Sequence, residues 1–184
     1  TKVNIAPDGY VEIKVSGDVY RDGENILYGS FSNSVESGTL SKKVTTNPKK
    51  PFLKVFKGTK EPVYTDGGYI TYSIIVENVG EGYANNAKIE DNILNIKDKN
   101  GKKVFASWEI TSSTTGNGTK ALPIKNNENI DSTMDIAPNG GKIIYTVKGK
   151  LNVGLEGSIT NEVVVTDMQT SNKITASATQ DKAS

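Results

Sequence analysis

The chain has 184 residues, a formal net charge of +1, 35% hydrophobic and 23% charged residues, and neither cysteine nor histidine. Disulfides, thiolate nucleophiles, zinc sites and His-based triads are therefore excluded. Arg21 is the only arginine among 22 basic residues, which argues against bidentate reading of phosphates or bases, and no apolar run reaches the roughly 18 residues of a membrane span.

Period-two alternation dominates from the start of the chain. YVEIKVSG (10–17) places Val11, Ile13 and Val15 on one face of a predicted strand. FLKVFKG (52–58) places Leu53, Val55 and Lys57 on one face and Phe52, Lys54 and Phe56 on the other. YITYSIIVEN (69–78) aligns Ile70, Tyr72, Ile74 and Val76, and NAKIEDNI (86–93) aligns Ala87, Ile89 and Asp91. VFASWEI (104–110) reads as a strand, followed by a polar loop, TSSTTGNGTK (111–120). KIIYTVKG (142–149), GSITNEVVV (157–165) and NKITASAT (172–179) complete the set. Turn chemistry separates these runs, as in DGG (66–68), NVGEG (78–82), KNGK (99–102) and PNGG (138–141). No window carries a helical stripe. The pattern predicts an all-β chain built as an antiparallel β-sandwich.

An internal repeat organises the chain. IAPDGYVEIKVSGDV (5–19) matches IAPNGGKIIYTVKGKL (136–151), GSFSNSV (29–35) matches GSITNEV (157–163), and SKKVTT (41–46) matches SNKITAS (171–177). Residues 1–46 are thus expected to be the C-terminal part of a preceding, truncated repeat. Residues 47–50 are expected to form an extended, solvated linker, and residues 51–184 one complete sandwich.

GGYITYSIIVENVGEGYANNAKIEDNI (67–93), with GSITNEV following at 157–163, resembles the conserved repeat of bacterial cell-surface proteins, the domain-of-unknown-function-11 type. That family looks related to CnaA-type collagen-adhesin and fimbrial domains, some of which form an intramolecular Lys–Asn isopeptide bond beside a buried acid. The resemblance implies an immunoglobulin-like β-sandwich and an extracellular location at a bacterial surface or cell wall. It also implies a tandem-repeat stalk role, with neighbouring repeats of the same polypeptide as partners.

Parity directs attention to three residues. Asn161 shares a face with Ile159, Val163 and Val165; Lys57 with Leu53 and Val55; Asp91 with Ala87 and Ile89. Three polar groups from distant segments are expected to point into one apolar interior, where each is costly unless paired. Burial lowers the pKa of a lysine and raises that of an aspartate. The expected chemistry is a single-turnover crosslink between Lys57 and Asn161, assisted by the acid Asp91. A hydrogen-bonded cluster without a bond is the rival reading. Lys54 and Glu90 are the rival lysine and acid, and Asn33 is the repeat equivalent of Asn161, expected to be unreacted.

Beyond this self-crosslinking no enzyme activity, cofactor or metal site is expected. DKNGK (98–102) and NNENID (126–131) look like oxygen-rich loops but read better as Asx turns. The alternative function is an adhesin binding module contacting a host glycan or matrix protein, with Trp108 beside Tyr69 or Tyr83 as the aromatic patch.

Overall fold

The computed structural model describes residues 3–16 and 30–184, which are all-β apart from one 3₁₀ turn. Residues 17–29, which include the end of the first predicted strand and Gly29 of the first GSFSNSV copy, lie outside the described residues. The chain divides into two compact units, Thr1–Thr46 and Asn47–Ser184.

In the first unit, β1 (Phe31–Ser37) and β2 (Leu40–Thr46) form an antiparallel hairpin in which Asn33 lies opposite Val44. Gly38 sits at the hairpin's turn with φ of 61°, a conformation glycine adopts without strain. Both strands are exposed along their whole length.

The second unit is the two-sheet sandwich that the strand spacing predicts. One sheet has four strands in the order β3 (Leu53–Thr59), β5 (Tyr69–Asn78), β10 (Gly141–Leu151), β7 (Phe105–Thr115). The other has six: β4 (Val63–Tyr64), β12 (Lys173–Lys182), β11 (Ile159–Thr166), β6 (Ala84–Asp91), β9 (Ile130–Ile136), β8 (Lys120–Ala121). All ladders are antiparallel except the short β4–β12 contact at Asp181↔Val63. Alternate residues fill the space between the sheets: Ile70, Tyr72, Ile74 and Val76 from β5, Ile143, Tyr145 and Val147 from β10, Ile159, Val163 and Val165 from β11. Each such aliphatic side chain contributes roughly 1.5–3 kcal/mol by leaving water.

Two local devices set which side chains face inward. In β6 the register shifts between Ala84 and Ala87, and Asn86 takes a positive φ of 52°. This bulge resets the alternation so that Ala87, Ile89 and Asp91 all point inward. In β10, a Cβ on Gly149 would fall 2.3 Å from Phe105 Cε1. The missing side chain leaves room for the Phe105 ring, which makes a T-shaped contact with Tyr72 at 6.3 Å and packs against Trp108 at 6.0 Å.

The structure corrects several sequence expectations. Residues 11–16 form no strand and are exposed. Their repeat counterpart β10 is held between β5 and β7, whereas among the described residues no ladder forms on 11–16. The polar stretch 111–115 continues β7 rather than forming a loop, because β10 supplies a partner as far as Lys142↔Thr115. Residues 130–136, left without a predicted strand, form β9 between β6 and β8. The solvated linker is partly docked: Gly82 N donates to Lys50 O at 3.0 Å, and Pro51 is buried.

Candidate functional site

Lys57, Asp91 and Asn161 meet in the core. Lys57 is carried inward by β3, next to Ile74 of β5. Asp91 ends β6 opposite Val163, and Asn161 lies two residues before Val163 on the neighbouring strand β11. The side chains of Lys57 and Asp91 are both fully shielded from solvent, and Asn161 is only 2% exposed. Lys57 Nζ donates to Asp91 Oδ2, and Asn161 Nδ2 donates to the same oxygen at 3.4 Å. One carboxylate oxygen therefore bridges the amine and the carboxamide, while Asp91 Oδ1 is buried without a hydrogen-bond partner.

The electrostatics follow from dryness. Burial pushes the Lys57 ammonium below its usual range, against the attraction of Asp91. Burial likewise pushes the Asp91 carboxyl above its usual range, against the pull of Lys57 and the hydrogen bonds from Lys57 and Asn161. Both shifts favour the same event, passage of a proton from amine to carboxylate, which leaves a neutral nucleophile beside a protonated acid. Removing one member of such a buried pair costs about 3–5 kcal/mol.

The rivals fall outside the site. Lys54 is exposed on the outer face of β3. Glu90 points away from the core and pairs with Lys88 at 2.7 Å. Asn33 is exposed on the hairpin of the first unit.

Two residues near the site, Tyr72 and Gln180, and one at the far end of β5, Asn78, were not singled out by sequence. The Tyr72 ring lies beneath Lys57 Nζ, 5.2 Å from ring centroid to nitrogen. Tyr72 Oη donates to Gln180 Oε1 at 3.0 Å, and both residues are buried. Burial raises the Tyr72 hydroxyl well above its usual pKa, so it remains a donor. Extending the alternation Ile174, Ala176, Ala178 by one more step would have found Gln180. Asn78, at the end of β5, donates to Gly82 O at 2.7 Å and Ile136 O at 3.1 Å, and accepts from Phe52 N at 3.1 Å and Gly80 N at 3.0 Å. It ties the first strand, the turn and β9 together, which gives the Asn of the VENVG segment a structural reason.

The weaker signals resolve into turns and core. Asp98 accepts from the backbone of Asn100, Lys102 and Glu156, so its oxygens are engaged by N–H donors. Asn126, Asn127 and Asn129 accept from the backbone N–H groups of Ile110, Trp108 and Leu94. Among the described residues no group of three or more metal-ligating side chains forms. Trp108 is buried and donates Nε1–H to Glu128 O at 2.8 Å, so it offers no stacking face. Tyr69 is exposed with Lys148 and Lys150 over its ring.

No family model and no curated protein matches the chain. Among solved structures, it is similar to a family 123 glycoside hydrolase from Clostridium perfringens, at 12% identity and TM-score 0.46, over 72% of this chain and 27% of that one. It is also similar to the collagen adhesin of S. aureus, at 12% identity and TM-score 0.41, over 82% of this chain and 56% of that one. A third is the major pilin subunit of Bacillus cereus, at 9% identity and TM-score 0.40, over 86% of this chain and 49% of that one. The chain spans less than two thirds of each of these three proteins, and likenesses at this level carry no functional argument.

Proposed function

We propose that residues 51–184 are a spacer module of a bacterial surface protein, stiffened by an amide bond that it forms between its own Lys57 and Asn161. Residues 1–46 are read as the end of a preceding module of the same kind. The observation that carries the proposal is the single Asp91 oxygen bridging a buried lysine and a buried asparagine from opposite sheets.

The reaction needs no external reagent. Lys57 passes a proton to Asp91. The free amine attacks Asn161 Cγ, and the amide oxygen takes a hydrogen bond from the protonated Asp91 as negative charge builds on it. For this the carboxamide turns half a revolution about Cβ–Cγ, so that its oxygen rather than Nδ2 faces the acid. The attacking nitrogen gives up one proton, which Asp91 relays to Nδ2. The Cγ–Nδ2 bond then breaks, ammonia departs, and a Nζ–Cγ bond remains. The products are an amide, a neutral Asp91 and ammonia, with atoms and charge balanced.

The test is intact mass under denaturing conditions. Wild type is expected to lie one ammonia below the mass calculated from sequence, while Lys57→Ala and Asn161→Ala lie at theirs. A wild-type chain at full calculated mass refutes the crosslink.

A further inference from the structure

Within this crosslinking reading, we infer that Tyr72 and Gln180 act together as positioning residues for Lys57. Lysine has a long, flexible side chain, and its amine must reach the Asn161 carbon from one direction for attack to succeed. What limits its swing is the face of Tyr72, 5.2 Å from Nζ to the ring centroid. The ring is fixed at two points. It meets the Phe105 ring in a T-shaped contact at 6.3 Å between centroids, and its hydroxyl donates across the sandwich to Gln180 Oε1. Gln180 belongs to β12, paired with Ile159 of β11 two residues from Asn161. The Tyr72–Gln180 bond thus spans the same two sheets as the proposed amide and holds them at a set separation near it.

A purely structural purpose accounts poorly for this pair. Gln180 is 1% exposed, and its Nε2 is buried without a partner. An apolar side chain there would avoid that unpaired donor. Retention of a half-satisfied amide fits a requirement for its oxygen, the atom that holds the tyrosine. The ring also favours the ammonium form of Lys57, so Tyr72 opposes deprotonation. Whatever it contributes to bond formation must come from placement.

That opposition makes the test discriminating. The full chain is synthesised in a cell-free reaction, samples are denatured at intervals, and the fraction that has lost ammonia is followed by intact mass. Tyr72→Phe keeps the ring and its packing but frees it from Gln180. Tyr72→Phe/Gln180→Leu removes both polar partners together, which restores a satisfied core, and thermal melting checks its stability. Positioning predicts bond formation about 10- to 100-fold slower than wild type in both variants, with the double variant folded at the assay temperature. Wild-type rates in both variants overturn the inference and leave the crosslink reading standing. Should the double variant fold poorly, the rate in Tyr72→Phe alone decides. A wild-type chain that never loses ammonia removes the crosslink reading, and this inference with it.

Discussion

Tension is the perturbation that separates a covalent ring from a hydrogen-bonded cluster. Lys57 and Asp91 are 34 residues apart and Asp91 and Asn161 a further 70, so the bond would close a ring of about 104 residues, roughly 36 nm of extended chain at about 3.5 Å each. The whole unit, Asn47–Ser184, holds roughly 138 residues and would extend to about 48 nm. Pulled from its ends, the wild-type unit is therefore expected to release only the ~12 nm outside the ring, less the folded end-to-end distance. Lys57→Ala is expected to release about 36 nm more, a difference from which the folded length cancels. Single-molecule force spectroscopy on the unit between identical handle domains reads both steps directly. At equilibrium the same ring is worth about 4.7 kcal/mol by the loop-entropy argument used for disulfides. Equal contour steps for wild type and Lys57→Ala would refute the ring and reduce the trio to a buried ion pair.

Three further outcomes follow from the same geometry. Bond formation requires one proton shared by Lys57 and Asp91, so its rate should be flat at intermediate pH. It should fall in acid as the pair gains a second proton, and in alkali as it loses its last; a rate rising monotonically with pH would mean that Asp91 is not the acid. Asn78→Ala strips partners from Gly82 O, Ile136 O, Phe52 N and Gly80 N and should destabilise the unit by about 3 kcal/mol, read from urea unfolding in the Lys57→Ala background so that no ring masks it. Gly149→Ala drives a methyl into Phe105 and should cost about 1–3 kcal/mol in the same assay.

Much of the fold could be read from alternation alone, because in a sandwich the period-two pattern and the burial pattern are the same fact. β5 occupies the predicted span 69–78, and β3, β10 and β12 begin within a residue or so of their predicted starts. Lys57, Asp91 and Asn161 were visible for the same reason, as polar residues on apolar faces. What alternation could not supply was pairing. YVEIKV carries as clear a pattern as β10 yet has no ladder, since hydrogen-bonded neighbours decide whether an extended segment becomes a strand. TSSTT carries no apolar pattern yet is part of β7, because its pairing with β10 costs nothing in exposed side chains. Tyr72 escaped notice as a site residue because an aromatic on a core face reads as packing. Only the position of Lys57 Nζ over its ring gives it another role.

The buried trio also poses an energetic question that the proposed reaction answers. An ion pair sealed in a core is often less stabilising than apolar side chains of the same volume, because the desolvation of two charges outweighs their attraction. Here the penalty is sharpened by Asp91 Oδ1, which is buried with no hydrogen-bond partner. Conversion to an amide removes the problem at its source. The ammonium becomes a neutral N–H, the carboxylate becomes a neutral acid, and the departing ammonia carries no charge into the core. Held as ions, the trio would lie on the uphill side of the proposed reaction, whose neutral product suits a dry interior better than charged reactants. That is why Asp91→Asn is informative beyond loss of the acid. It removes one buried charge and leaves Lys57 without its counter-ion, and the amine, pushed further towards its neutral form, has no group to take up the proton or to polarise Asn161. The variant is expected to keep its full mass while retaining a nucleophilic lysine. Ammonia loss in Asp91→Asn at the wild-type rate would show that dryness alone activates the amine, and that the carboxyl group contributes nothing to the chemistry.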